Sequence, residues 1–351
     1  MADRLRVAVV FGGRSEEHEV SRTSAAAVIR ALDPRRYKVV PLAITRAGRW
    51  LAPKESAALL PAACPDVVTP AEGGVLQRLT GRGAGIDVVL PLVHGPFGED
   101  GTLQGFLELA DVPYVGSGVL ASAVGMDKAV AKRLFAAHGL PQVESVLIAR
   151  RDLDAAPRRA AERAEAAVGL PCFVKPSSLG SSVGVTKVKR REELLPALQL
   201  AARYDRKLLV ERAVDAREVE CGVLGNDDPE VSQVGEIFYD NEFYDYDAKY
   251  TEGKMKLVVP AALRQDQTEQ VRRCAREAFL ALDAAGMARI DFFVDRQDGR
   301  VYLNEVNTIP GFTSTSVYSR LWEASGVPYG DLLDRLIQLA LERHAERSRP
   351  S

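Results

Sequence analysis

The stretch from Ala288 to Asn307, Ala-Arg-Ile-Asp-Phe-Phe-Val-Asp-Arg-Gln-Asp-Gly-Arg-Val-Tyr-Leu-Asn-Glu-Val-Asn, sets two apolar segments on either side of a polar turn that contains Gly299. That pattern reads as a β-hairpin. If Phe293 pairs with Leu303 across the turn, Asp291 falls opposite Glu305, and the two-residue period of a strand puts Asn307 on the face that carries Glu305. Two facing carboxylates with Cβ atoms roughly 5 Å apart repel one another, so the hairpin needs positive charge between them. A hard divalent cation would supply it: carboxylate and amide oxygens suit Mg2+, which takes one or two protein carboxylates and completes its shell with water and substrate phosphate. The same acids could instead pair with arginine, and Arg289 lies on the same strand face. Both readings stay open on these residues alone; the first implies a nucleotide.

A second segment bears on the phosphate. Pro171-Cys-Phe-Val-Lys-Pro-Ser-Ser-Leu-Gly-Ser-Ser-Val-Gly-Val-Thr-Lys-Val188 reads as a strand ending near Lys175, a loop of small residues and another strand. Gly180, Ser181, Ser182 and Gly184 let backbone N–H groups approach an anion, and the serines add hydroxyl donors. The lysine precedes the loop and a strand follows it, so this is not a Walker A loop, which needs Gly-Lys-Ser/Thr opening a helix. The catalytic-loop and Asp-Phe-Gly signatures of protein kinases are missing. Gly12-Gly13 also lacks the further glycines of a dinucleotide-binding fingerprint, which disfavours a Rossmann oxidoreductase.

The order strand, Lys175, glycine/serine loop, strand, then Leu208-Leu-Val-Glu-Arg-Ala-Val214, then the acidic hairpin resembles the ATP-grasp superfamily. Four more segments narrow the resemblance to the D-alanine:D-alanine ligase family and span nearly the whole chain. They are Gly12-Gly-Arg-Ser-Glu-Glu-His-Glu-Val-Ser21, His94-Gly-Pro-Phe-Gly-Glu-Asp-Gly-Thr-Leu-Gln-Gly105, Tyr244-Asp-Tyr-Asp-Ala-Lys-Tyr250 and Asn307-Thr-Ile-Pro-Gly-Phe-Thr-Ser-Thr-Ser316. The resemblance implies an α/β protein, an ATP-grasp fold preceded by an N-terminal Rossmann-like (pre-ATP-grasp) α/β domain. It implies ATP-dependent joining of two D-alanine molecules through an acyl phosphate, for peptidoglycan precursor synthesis. The cofactors implied are ATP and Mg2+, two ions with Mn2+ able to substitute, and the assembly implied is a homodimer.

Residue by residue, the resemblance gives Asp291, Glu305 and Asn307 to the metal. Lys128, Lys175, Ser182, Glu211, Ala213, Val214, Glu218 and Lys249 go to ATP, with the backbone from Glu211 to Val214 along the purine edge. Arg289 and the Gly311 N–H stabilise the tetrahedral oxyanion. Glu17 holds the ammonium of the first D-alanine and His94 lies near its carboxylate. Ser181, Tyr250 and Glu17 form a bridge that closes a lid at Tyr239 to Lys256, and a closed lid protects an acyl phosphate from water. Ser316 and Val317 meet the acceptor. Val317 stands where many relatives carry Leu and Thr315 where His is common, so acceptor choice is the part that departs from the family's pattern. D-lactate in place of the second D-alanine, and a non-catalytic ATP-binding protein on the same fold, are the alternatives.

At 351 residues the chain exceeds a single core, and a 46% hydrophobic content can fill two or three. A formal net charge of −2 without long single-sign runs argues against nucleic acid or an anionic membrane as partner. Cys64, Cys172, Cys221 and Cys274 are scattered, so neither a disulfide framework nor a zinc cluster is indicated, which fits the cytoplasm. No apolar run reaches the length of a membrane span. Three regions are expected: an N-terminal substrate-binding domain at 1–118, a small ATP-grasp subdomain with the loop at 119–209, and a C-terminal domain with metal site and lid at 210–351. Expected elements include a strand from Arg6 to Phe11, a helix through Ser24 to Leu32, a strand at Asp87 to Val93, helices at Met126 to His138 and Arg150 to Ala167, and a closing helix from Gly330 to Leu341 with the last ten residues frayed.

Overall fold

The computed structural model describes residues 4–60, 85–180, 183–239 and 255–348. The first sheet is parallel, in the order β2-β1-β3, from β1 (Leu5–Gly12), β2 (Tyr37–Ile44) and β3 (Val88–Pro91). Val7 through Phe11 are wholly buried, the condition that makes a central parallel strand a continuous apolar run. Helix α1 (His18–Ala31) runs through Ser24 and has an acid, Glu19, in its first turn. Its first turns bury polar residues: Ser21 accepts from Gly12 N at 2.7 Å and donates to Leu92 O at 2.6 Å, joining the carboxyl ends of β1 and β3. Gly12 must be glycine there, since φ is +92° and a Cβ would lie 2.2 Å from Ile44 O. Helices α2 (Pro53–Ala57) and α3 (Thr102–Leu109) complete this part.

The chain continues through α4 (Val119–Met126) and α5 (Lys128–Ala137), split at Asp127, whose carboxylate caps α5 by accepting from Val130 N. A four-stranded antiparallel sheet follows in the order β4-β7-β5-β6, from β4 (Ser145–Ala149), β5 (Cys172–Pro176), β6 (Thr186–Val188) and β7 (Lys207–Arg212). It is covered by α6 (Arg150–Ala155), α7 (Pro157–Val168) and α8 (Arg191–Ala201), whose Leu153, Ala160, Ala164, Leu194 and Leu198 form one core with Val174 and Val210. The single helix expected at Arg150 to Ala167 is thus two, because Pro157 disfavours a helical residue before it. Val210 sits mid-strand in β7, so the small sheet keeps the chain until Arg212 and the boundary expected at 209/210 cuts through it.

The third sheet is antiparallel, β11-β10-β8-β12-β13 with β9 (Glu230–Val231) beside β8. Its strands are β8 (Ala216–Gly225), β10 (Gly235–Tyr239), β11 (Met255–Val258), β12 (Gly286–Asp295) and β13 (Val301–Asn307), backed by α9 (Gln265–Ala281). Helices α10 (Val317–Ala324) and α11 (Tyr329–Arg347) finish the described chain. The frayed end expected for the last ten residues is helical through Arg347. Leu332, Leu333, Leu336 and Ile337 of α11 share a core with Val7, Val9 and Phe11 of β1 and with Tyr318 and Trp322 of α10. The C-terminal helix therefore bonds the first sheet to the third. Ile337 is 0% exposed, and Ile337→Ala is expected to cost about 2–5 kcal/mol of unfolding free energy in urea titration, with a loss under about 1 kcal/mol showing that α11 is not part of that core.

Candidate active site

β12 and β13 form the expected hairpin, with Asp291 opposite Glu305 and Arg289 opposite Asn307. The register by which they do so differs from the expected one. Phe293 pairs with Tyr302, not Leu303, and the shift between Asp291 and Phe292 leaves Asn304 as an extra residue on β13. An unbroken ladder from Phe293 and Tyr302 would have set Asn304 against Asp291; the bulge restores Glu305 to that place. On the other side of β12, β8 puts Glu220 opposite Asp291, so Glu220, Asp291 and Glu305 stand in one row across three strands.

Positive groups separate the members of the row. Arg289 donates Nε and a second nitrogen to Asp291 at 2.8 and 2.7 Å, and its Nε lies 2.9 Å from Glu220. Asn307 Nδ2 donates to Asp291 at 3.1 Å, and Lys128 Nζ is 3.2 Å from Glu305. The arginine pairing considered for the hairpin is therefore realised. Among the described residues no group of three or more His, Cys, Asp or Glu is placed to hold a metal ion. The expected set contains only two carboxylates and an amide, however, all oxygen donors, the composition that leaves Mg2+ free to keep water and phosphate ligands. Lys128 and Arg289, poised on the very two acids, mark where such a charge would go, so the residues fit the group.

Helix α5 carries Lys128 and Lys132 one turn apart, on one face. Asp127 anchors its start: it accepts from Ser177 Oγ at 2.7 Å and pairs with Lys207, while Lys128 N donates to Ser177 O at 2.9 Å. Lys128 Nζ also donates to Leu179 O at 2.9 Å, tying the helix to the glycine/serine loop. Lys132 Nζ is 2.9 Å from Glu211, and Lys175 pairs with the other oxygen of the same carboxylate. Burial raises the Glu211 carboxyl, but Lys175 and Lys132 outweigh it and hold the group down at about 2. Burial pulls the Lys175 ammonium down, and Glu211 opposes the pull.

Lys128, Lys175 and Glu211, with Asp291 and Glu305, line a cavity of about 380 Å³ between the small sheet and the third sheet. Ala213, Val214, Phe173 and Phe293 give it apolar walls, and Glu218 at its rim accepts from Tyr239 Oη at 2.6 Å. Ala213 N donates to Pro171 O at 3.0 Å, which fixes the strand segment expected along the purine edge. Ser181, Ser182, Lys249 and Tyr250 lie outside the described residues, as does most of the expected lid; Tyr239 at its start pairs with Met255, next to its last residue Lys256, across β10 and β11.

A second cavity of about 520 Å³ meets the first at Lys128, Gly180 and Glu305. Both volumes suit small molecules. Glu17, His94, Arg289, Gly311, Ser316 and Val317 line the second. Glu17 Oε2 is close enough to the glycine loop that a Cβ on Gly180 would lie 3.7 Å from it. Ser316 Oγ accepts from Thr313 N at 2.9 Å, and Val317 packs at 7% exposure with Ile237, Leu257 and Leu321. His94 Nδ1 bonds to Ile309 O at 3.0 Å, so Nδ1 carries the proton, and burial lowers the imidazole's affinity for a second one. Its Nε2, buried and without a partner among the described residues, is then an acceptor. That suits an ammonium or hydroxyl and not, while the ring is neutral, the carboxylate expected beside it. The sequence reading missed Glu99, which accepts from Gly95 N at 2.6 Å and from the N–H of Ile309, so the first domain holds both the carbonyl and the N–H of Ile309, just before Gly311.

Comparison with known proteins decides the family. The family model described as "D-ala D-ala ligase N-terminus" matches residues 6–117, and "D-ala D-ala ligase C-terminus" matches residues 134–338. The chain belongs to the D-alanine–D-alanine ligase family. It is 49% identical to the D-alanine–D-alanine ligase of Thermoanaerobacter sp. (strain X514), across 99% of each chain. It is 46% identical to that of Geobacillus thermodenitrificans, across 98% of this chain and 97% of the relative. Among solved structures it resembles the D-alanine–D-alanine ligase of Coxiella burnetii, with TM-score 0.80 and 36% identity over 99% of this chain and 96% of that one. It equally resembles the VanG D-Ala:D-Ser ligase of Enterococcus faecalis, with TM-score 0.82 and 35% identity over 96% and 100%. Family members combine an N-terminal α/β domain with a C-terminal ATP-grasp domain and use ATP with a divalent metal. Within this family's site, burial and the nearby Glu17 push the Glu99 carboxyl up to about 8. Glu99 then holds a proton in the folded chain that it has already lost in the unfolded chain, so stability falls as pH rises from about 4.5 toward 8. Urea midpoints measured across that window should fall more steeply for the natural protein than for Glu99→Gln; parallel slopes would show that Glu99 does not titrate there.

Proposed function

We infer that the chain is an ATP-dependent ligase that joins two D-alanine molecules into the dipeptide of the peptidoglycan precursor. The observation that carries the reading is the meeting of two cavities at Lys128, Gly180 and Glu305, where a nucleotide in one can pass a phosphoryl group to a carboxylate in the other. In the reading, the purine lies between the Glu211–Val214 segment and Phe293, its ribose near Glu218, with Lys128, Lys175 and Lys249 toward the phosphates and the Ser181 and Ser182 N–H groups over them. Asp291, Glu305 and Asn307 would hold Mg2+, two ions with Mn2+ able to substitute, whose charge neutralises phosphate oxygens when bound. Glu17 and the acceptor nitrogen of His94 take the ammonium of the first D-alanine, and this orients its carboxylate toward the γ-phosphorus. That oxygen attacks phosphorus and ADP leaves; the amine of the second D-alanine attacks the acyl carbon, phosphate leaves and the amine gives up a proton. Arg289 and Gly311 N–H face the oxyanion between those steps, and Tyr250 with Ser181 closes the site. The reading extends to a homodimer in the cytoplasm; no helix among the described residues is long and apolar enough to cross a membrane.

Acceptor choice is the second question, because the backbone resembles a D-Ala:D-Ser ligase as closely as a D-alanine–D-alanine ligase. Relatives at 46–49% identity named D-alanine–D-alanine ligase favour D-alanine. With ATP, Mg2+ and equimolar D-alanine, D-serine and D-lactate, mass analysis should find D-alanyl-D-alanine as the main product. A dominant serine dipeptide or lactate ester would overturn the acceptor assignment, and no ATP-dependent product would overturn the ligase reading.

A further inference from the structure

We propose that Lys132, a residue outside the phosphate-binding set, is a positioning residue that neutralises the Glu211 carboxylate it shares with Lys175, so that the Lys175 charge is left uncompensated toward the nucleotide. The proposal rests on the ATP-binding reading. Its physical basis is a charge count in a buried place. The side chains of Lys132, Glu211 and Lys175 are 8%, 4% and 12% exposed, so water screens them little. Glu211 and Lys175 alone would form a neutral pair, with the ammonium satisfied by its own carboxylate and little field left for a polyphosphate. Lys132 occupies the other oxygen, at 2.9 Å, and gives the triad one net positive charge. Neither Lys132 Nζ nor that oxygen of Glu211 makes a hydrogen bond to any other group among the described residues, so each depends on the other for charge balance.

The helix geometry adds a second argument. Lys128 and Lys132 sit at i and i+4 on α5, and each pairs with a glutamate from a different sheet: Lys128 with Glu305 of β13, Lys132 with Glu211 of β7. One helix face therefore sets the spacing between the two walls of the 380 Å³ cavity. Lys132 is held in turn by its backbone, whose carbonyl accepts from Gln142 Nε2 at 2.9 Å.

The test is calorimetric binding of a non-hydrolysable ATP analogue with Mg2+, together with steady-state kinetics. Lys132→Met is expected to weaken analogue binding about tenfold and to raise the KM for ATP similarly, while kcat at saturating ATP stays within about threefold, since Lys132 touches no reacting atom. Lys132→Gln, which keeps a donor but not the charge, should behave like Lys132→Met. In a Glu211→Gln background the further change Lys132→Met should alter affinity less than twofold, because the carboxylate that needed sharing is gone. Natural affinity in folded Lys132→Gln would overturn the proposal, as would equal losses from Lys132→Met in the two backgrounds. If Lys132→Met does not fold, Lys132→Gln alone decides by the same criterion. Failure of the unaltered protein to bind the analogue would instead defeat the ATP reading and this proposal with it.

Discussion

Two lysines one helical turn apart hold two glutamates of different sheets, Glu211 buried and Glu305 partly buried, and so bridge the cleft between those sheets. Lys128 reaches Glu305 and the carbonyl of Leu179, and Lys132 reaches Glu211, which also takes Lys175. Buried ions of this kind are costly to desolvate and contribute little to net stability. Their worth lies in what replaces them. In the proposed reading, a nucleotide with its metal would bring the negative phosphates and positive ion that the Lys128–Glu305 and Lys175–Glu211 pairs mimic, so binding would exchange these partners without leaving a buried charge alone, while Lys132 stays on Glu211.

The row Glu220, Asp291, Glu305 follows the same logic. Three carboxylates abreast would repel, and Arg289 and Lys128 keep them apart. Arg289 is anchored to two acids, which leaves it a carboxylate partner in Glu220 if Asp291 turns to a cation. From the other side of the site, His94 and Glu99 grip the carbonyl and the N–H of Ile309, so the loop leading to Gly311 is positioned by the first domain. Helix α11 links those parts more broadly, since its Leu336 and Ile337 complete the core of β1.

The hairpin and its acids were legible because period two and a polar turn are local signals, and Asp291 did land opposite Glu305. The bulge at Asn304 was not, since it arises from ladder geometry that no spacing reveals, and the correct pairing was reached from the wrong starting pair. The burial of Ser21 and Ser24 on α1 was hidden because they are buried for their hydrogen bonds, not for hydrophobicity. Lys132, Glu220 and Glu99 carried weak signals: four residues after Lys128 on a helix, two after Glu218 on a strand, and inside a loop already singled out at His94. Their importance comes from partners distant in sequence, Glu211, Arg289 and Ile309, which only the folded chain brings near. Membership of the family followed from motifs spread over the chain and agrees with two family models covering most of it.

The most direct measurement is a crystal structure with Mg2+ and a non-hydrolysable ATP analogue. The exchange of charge partners requires Asp291, Glu305 and Asn307 oxygens at about 2.0–2.1 Å from Mg2+, with Lys128 and Lys175 turned onto phosphate oxygens while Lys132 stays on Glu211. A bound nucleotide that leaves the Lys128–Glu305 and Arg289–Asp291 pairs intact, with the metal held elsewhere, would contradict it.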